Sequence, residues 1–350
     1  MNQTFTVRGV EIGTGRRPYV VAEMSGNHNG SLDRALALVD AVAEAGAHAL
    51  KLQTYTADTL TVNVDHPRFR ISGGHDLWSG EHLYQLFERA HTPWEWHEAI
   101  FDRARDRGLM AFSSPFDPTA VDLLEKLDVP LYKIASSEIV DLPLIRLVAG
   151  TGKPMIISTG MASVGEIAAA VEAARSGGCT DLVLLACTAS YPAPPEQSNL
   201  RRLPVLADVF GVPVGLSDHT LGIGVPVASV ALGACLIEKH VTLDRGDGGV
   251  DSAFSLEPHE VGALVVESER AWRSLGTTTI GPTEAERESL RFRRSLFVVE
   301  DVRAGDEVTA ANVRSIRPAG GLAPDTIPTV LGRTFRQDTA KGTPLSWDLI

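Results

Sequence analysis

The stretch "SLDRALALVDAVAEAGAHALKLQT" (residues 31–54) holds two periodicities in succession. Ser31 is placed to cap a helix and Gly46 to end it, with Leu32, Leu36, Val39 and Ala43 recurring along one face between them. Past the glycine, "HALKLQT" (48–54) is a short apolar run, the pattern of a strand buried on both faces. A helix that runs through one tight turn into such a strand is half of a strand–helix–strand unit.

The unit recurs in both directions. Further short apolar runs are "PYVVAEMS" (18–25), "LMAFSS" (109–114), "LYKIAS" (131–136), "KPMIIST" (153–159), "DLVLLACT" (181–188), "VPVGLSD" (212–218) and "ACLIEKH" (234–240). Helical patterns separate them. "TPWEWHEAIFDRARDRG" (92–108) offers Thr92 as N-cap, Pro93 in the first turn and Glu95 to close a capping box. "SVGEIAAAVEAARSGG" (163–178) repeats the device with Ser163 and Glu166, and "HEVGALVVESERAWRSLG" (259–276) closes the series. Eight such units in about 275 residues match the size of a (β/α)8 TIM barrel. A doubly wound open sheet is the alternative, but nothing like GxGxxG follows the first strand.

After "GPTEAERESLRFRRS" (281–295) the character changes to short β-like runs with Gly/Pro turns. The expected division is therefore a catalytic barrel over 1–280, a linker over 281–294 and a small β-rich domain over 295–350. The arginines of "RFRRS" (291–295) read as a solvated linker.

Composition narrows the function classes. The chain has 350 residues, 44% apolar and 22% charged, enough for a large core. Its 32 Lys+Arg stand against 44 Asp+Glu, a net charge of −12, and no long basic run suggests nucleic acid. Cys179, Cys187 and Cys235 give no disulfide framework and no CxxC pair. The amino terminus lacks an apolar signal core, and no uncharged run reaches the roughly 18–20 residues of a membrane span. The expectation is a soluble, cytoplasmic protein.

Chemistry in a barrel collects at the carboxyl ends of its strands. Those positions hold Glu23, Lys51 and Gln53, Ser113-Ser114, Lys133 with Ser136 and Glu138, Ser158-Thr159, Thr188 with Tyr191, Ser217-Asp218-His219, and Glu238-Lys239-His240. Two lysines with several hydroxyls suit a phosphate or carboxylate. Two histidines at adjacent strand ends suit one metal with an open coordination sphere, or are two ordinary hydrogen-bonded residues. Glu23 is a candidate general base. Lys51 and Lys133 have a plainer alternative, pairing with Glu23 and Glu138 inside the barrel. His28 and His97 read as structural or peripheral. Trp94 and Trp96 read as helix packing, and Cys187 as a small buried residue without a His–Asn partner. These patterns yield a barrel enzyme for an anionic substrate and name no reaction.

Longer strings carry more. "AEMSGNHNGSLDRALALVDAVAEAGAHALKLQTYTADTLT", "FSSPFD", "YKIASSEI", "GKPMIISTGMAS", "LSDHTLG" and "IEKHVTLDR" resemble the sialic acid (nonulosonic acid) synthase family, and "VVEDVRAGDEVTAANVRSIRPAGG" resembles its antifreeze-like (SAF) domain. The resemblance runs from about residue 5 to the end. "HTPWEWHEAIFDRA", "CTASYPAPPEQSNLR" and "DRGDGGVDSAFSLEP" look most like the pseudaminic acid branch, and Ala189 stands where the N-acetylneuraminate branch typically has asparagine.

The resemblance implies condensation of phosphoenolpyruvate with 2,4-diacetamido-2,4,6-trideoxy-L-altrose and release of phosphate by C–O cleavage. The legionaminic and N-acetylneuraminic branches are its competitors. A catalytically dead sugar-binding barrel and a metal-dependent aldolase using free pyruvate are readings of other kinds. By resemblance, His219 and His240 match the ligands of a divalent metal, Mn2+ first, with Mg2+ or Co2+ accepted. Lys51, Ser114, Lys133 and Ser158 match the phosphate site, and Ser136 and Ser217 match contacts to the carboxylate of phosphoenolpyruvate. Glu23 matches the acid near the reacting carbons, and Gln53, Glu138, Tyr191 and Asp251 line the sugar pocket. Arg317 matches an arginine that the SAF domain lends to the sugar's acyl group in the partner's barrel, which implies a domain-swapped homodimer.

Overall fold

All eight apolar runs are strands. The computed structural model describes residues 3–71 and 78–350. An antiparallel hairpin, β1 (Thr4–Val7) and β2 (Val10–Gly13), precedes the parallel strands β3 (Tyr19–Glu23), β4 (Ala49–Thr54), β5 (Met110–Pro115), β6 (Tyr132–Ile134), β7 (Met155–Ser158), β8 (Leu182–Cys187), β9 (Val214–Asp218) and β10 (Ala234–His240). These close into a barrel in chain order, with β10 beside β3. Crossover helices cover it at Leu32–Glu44, His97–Asp106, Pro118–Lys126, Leu142–Ala149, Val164–Ser176, Arg202–Phe210, Gly224–Val230 and Pro258–Ser274. Among the described residues no helix is long and apolar enough to cross a membrane.

Strand parity explains where the site lies. Side chains two apart share a face, so each inward row is read every second residue. Near the amino ends the rows are apolar: Val21, Ala49, Phe112, Leu131, Ile156, Leu185 and Leu236 pack in one core. One step further along the same rows stand Glu23, Lys51, Ser114, Lys133, Ser158, Cys187 and Glu238. The amino-terminal end is closed by Phe5, Val7 and Ile12 of the hairpin, which join that core. The sequence reading had not assigned this hairpin; each of the three buried side chains contributes about 1.5–3 kcal/mol.

Ser31 caps its helix as expected, its hydroxyl accepting from Arg34 N at 3.3 Å. The buried stripe is rotated from the expected one: Ala35, Leu38, Val39 and Val42 are buried, while Leu32, Leu36 and Ala43 flank them half-buried. Small Ala35 permits close approach to the barrel. The Ser163–Glu166 capping box forms, with 3.3 Å and 2.7 Å bonds in the two directions.

The Thr92–Glu95 box does not form. A 3-10 turn, Trp94–Trp96, precedes the helix, and the Thr92 hydroxyl is buried without a partner. The His97 ring takes over, donating from Nδ1 to the Pro93 carbonyl at 3.1 Å and accepting from Thr54 Oγ1 at 2.9 Å. That places His97 as a satisfied core residue, and Trp96 packs on the helix–barrel core.

Residues 277–350 form a second unit. Strands β11 (Ser295–Val298) and β12 (Val313–Ile316) pair antiparallel. Isolated bridges Phe297–Pro344, Val302–Thr339 and Glu307–Thr334 extend the β character, around a core that includes Leu296, Val298, Val313, Phe335 and Leu345. Gly321 lies against β11 so closely that a Cβ there would sit 2.0 Å from the Leu296 carbonyl oxygen.

Candidate active site

A cavity of about 250 Å³ opens where the inward rows turn polar. Lys51, Gln53, Lys133, Ser136, Glu138, Ser158, Tyr191, Ser217, His219, His240 and Asp251 line it. Ala189, the position without the asparagine, lines it as well. Three candidates do not. Glu23 and Ser114 are buried behind Lys51, and Arg317 is exposed in the second unit.

Register places three of these residues at one level. Glu23 is paired with Lys51 across β3–β4 and with His240 across β10–β3. Lys51 Nζ lies 2.5 Å from Glu23 Oε2 and 3.4 Å from Ser114 Oγ. Glu23 Oε1 accepts from Ser25 N and from Gln53 Nε2, both at 3.1 Å.

Glu238, at its strand end, has no role assigned from sequence. Its Oε1 stands 3.6 Å from Lys51 Nζ, 3.7 Å from Lys133 Nζ and 3.2 Å from Ser217 Oγ. The other oxygen is buried with no hydrogen-bond partner. The lysine pairing is thus with Glu23 and Glu238; the Lys133–Glu138 pair does not form. Inward parity on β10 was the signal that could have singled out Glu238, since it shares a face with His240.

Burial alone would neutralise these charges, and the neighbours decide. Burial pushes Lys51 down, but Glu23 and Glu238 hold it above its usual range. For Lys133 burial wins over Glu238, and the value falls. Glu238 is pulled to about 2 against its own desolvation by the two lysines. Glu138 has no close cation; burial pushes it up to about 7, with Lys133 opposing. Two lysines and two carboxyl groups therefore face one another before any substrate arrives.

The histidines converge. Their ring centroids are 5.3 Å apart, and Tyr191 packs 4.5 Å from His219. His219 Nδ1 donates to the Thr188 carbonyl at 2.9 Å, which leaves Nε2 as the nitrogen that could ligate a metal. His240 Nδ1 is buried without a hydrogen bond, 3.4 Å from Asp251 Oδ2. Asp251 is itself held by the Ser25 hydroxyl. Two imidazole nitrogens with a carboxylate alongside fit a divalent ion. Cys187 is buried as expected, yet it lines the cavity with Sγ 3.9 Å from His219 Nδ1.

Among the described residues, one set of three His/Cys/Asp/Glu ligand atoms lies mutually within 4.8 Å: Glu257, His259 and Glu260. It lies outside the cavity, and its carboxylates already serve a helix cap and Arg245.

The remaining wall is apolar. Tyr55, Leu86, Phe87, Phe116 and Val250 line it, with Tyr55 5.2 Å from the Phe116 ring. Sequence reasoning missed them because they lie in irregular loops and in the segment between β4 and β5.

Known proteins share this architecture. Pseudaminic acid synthase of Campylobacter jejuni is 42% identical over 95% of this chain and 96% of its own. That of Helicobacter pylori is 41% identical over 95% and 97%. N,N'-diacetyllegionaminic acid synthase of Legionella pneumophila is 35% identical over 95% and 94%. A crystal structure of N-acetylneuraminic acid synthetase from Leptospira borgpetersenii superposes with a TM-score of 0.74 at 31% identity, covering 83% of this chain and 96% of that one. The SAF domain model matches residues 293–350, and the NeuB family model matches residues 38–279. By these matches and its barrel, the chain belongs to the NeuB family and carries a SAF domain.

Proposed function

We propose that this chain is a pseudaminic acid synthase, condensing phosphoenolpyruvate with 2,4-diacetamido-2,4,6-trideoxy-L-altrose. The observation that carries the chemistry is the convergence of Lys51, Lys133, His219 and His240 on one cavity. The higher identity to the pseudaminic than to the legionaminic enzyme favours the branch. Ala189 in the cavity wall supports it, since an asparagine amide is missing there.

In this reading Lys51, Lys133 and Ser158 hold the phosphate, with Ser114 orienting Lys51 from behind. Ser136 and Ser217 meet the carboxylate. Gly160 N donates to Ser136 Oγ at 3.1 Å, so that hydroxyl is already aimed. Because Glu23 and Glu238 stand against the lysines, the substrate's charge is met by directed donors rather than by net charge. Gln53, Glu138, Tyr191 and Asp251 surround the acceptor sugar, and the apolar wall excludes water from it.

C3 of phosphoenolpyruvate attacks the sugar's aldehyde carbon, which leaves positive charge at C2; water adds there, and phosphate leaves by C–O cleavage. Glu23 handles a proton at the water or beside the cationic carbon; its Oε1 is fixed by the Ser25 amide and the Gln53 amide group. A divalent ion, Mn2+ first, held by His219 and His240 would polarise the aldehyde oxygen as a Lewis acid. Residues 1–280 form the catalytic domain, 281–294 the linker and 295–350 the domain that lends Arg317 to a partner's barrel in a cytoplasmic homodimer.

Assaying the altro, legionaminic-type and N-acetylmannosamine acceptors side by side with phosphoenolpyruvate tests the proposal. Phosphate release fastest with the altro sugar is expected. Preference for another acceptor moves the chain to that branch, and turnover of free pyruvate in place of phosphoenolpyruvate overturns the chemistry.

A further inference from the structure

We propose that Lys239 and Asp218 form a buried clamp that positions His219 and His240 for a shared divalent ion; the inference rests on the metal reading given above. The two residues are register partners across β10 and β9. The next residue in the chain after each is a histidine, His240 at the end of β10 and His219 just past β9. Glu238 and His240 line the cavity, as do Ser217 and His219, so alternation turns Lys239 and Asp218 to the opposite face. Neither lines the cavity.

Lys239 Nζ lies 2.5 Å from Asp218 Oδ2, and both side chains are 2% exposed. The same ammonium donates to the Thr220 carbonyl. Asp218 in turn accepts from Thr220 Oγ1 at 2.9 Å and from Thr220 N at 3.3 Å. One cation thus grips the residue before His219 and the residue after it. The backbone of His219 is straddled on the outer face while its ring is tied to Thr188 on the inner side.

A buried ion pair is a poor source of stability, because desolvation offsets most of its attraction. An apolar pair of similar volume would close the strands as well. What the ion pair adds is register: a fixed alignment of β9 against β10, and with it a fixed separation of the two imidazoles. Outer partners that hydrogen-bond a ligand directly typically change metal affinity by about 10–100-fold when lost, and a clamp acting through the backbone is expected at the lower end of that range.

Mn2+ titrated into chelator-stripped, full-length enzyme, followed by the EPR signal of the free ion, tests the clamp. Lys239→Met and Asp218→Asn are expected to raise the Mn2+ Kd by about 10-fold, the lower end of that range, and Lys239→Arg, which keeps the charge, to bind more tightly than Lys239→Met. His219→Ala marks the complete loss of the site. Circular dichroism identifies which variants fold. Thr220→Val removes only one bond to Asp218 and is the mild member of the series, expected to weaken binding in the same direction. Wild-type Kd in the variants that fold overturns the clamp and leaves the metal site standing. A wild-type enzyme that takes up no Mn2+ overturns both.

Discussion

Lys51 and Glu23 are register partners on adjacent strands, and their buried side chains meet at 2.5 Å. The pair puts the proposed phosphate ligand in contact with the proposed acid, so the two cannot be altered independently. Lys51→Met leaves a buried carboxylate without its closest cation and costs about 3–5 kcal/mol of stability. Glu23→Gln lowers kcat by about 10²–10⁴-fold while KM for phosphoenolpyruvate changes far less. The double variant recovers most of the stability and none of the activity. Urea melts and steady-state kinetics on the three proteins check this; a double variant no more stable than Lys51→Met would mean the pair is not coupled.

Glu138 carries a pH signature. Its folded value is about 7 against 4.5 for the free group, so the fold favours the protonated form. The associated stability is full below about pH 4.5 and is lost as pH rises through 7. Glu138→Gln does not carry that loss. At pH 8 the variant is expected to exceed wild type by about 1–3 kcal/mol, with the gap closing by pH 5. Urea denaturation at the two pH values measures it. A gap that grows on acidification would show that Glu138 is ionised and paired in the fold.

Much of the fold was legible because burial on both faces of a parallel strand leaves a short continuous apolar run, and all eight runs became strands. The turn from apolar to polar along each inward row, Val21 to Glu23 or Leu236 to Glu238, was legible in principle as a period of two. It was obscured at Glu238-Lys239-His240, where three polar residues stand together and only parity tells Glu238 from Lys239. The hairpin that closes the barrel was not legible, since Phe5, Val7 and Ile12 are scattered in a polar stretch. Capping followed sequence at Ser163, where Glu166 is free to reach back. At Thr92 a histidine with two buried bonds to make set the helix start instead.

Metal removal is the direct test of the histidine pair. Chelation is expected to abolish turnover and added Mn2+ to restore it. Ligation requires neutral imidazole; burial pushes His219 down, but Cys187 and the Thr188 carbonyl hold it above its ordinary value, so Mn2+ affinity falls on acidification. Titrations at neutral and mildly acidic pH measure this. Full activity after chelation would remove the ion from the chemistry, and pH-independent binding would point to carboxylate ligands.

Arg317 lies exposed in the second unit, while every residue lining the cavity belongs to the first. If its guanidinium serves the sugar's acyl group, Arg317→Ala raises KM for the sugar and spares KM for phosphoenolpyruvate. If it serves the partner's barrel, it can be supplied by a second chain. Arg317→Ala and His219→Ala proteins are each inactive or impaired alone. In a mixed dimer the intact barrel of the first meets the intact arginine of the second, and the other site lacks both. Equal mixing with free subunit exchange makes half the dimers mixed, so about a quarter of wild-type activity returns. No recovery after confirmed exchange would show that each arginine acts within its own chain, and equal effects on both KM values would assign it to something other than the sugar.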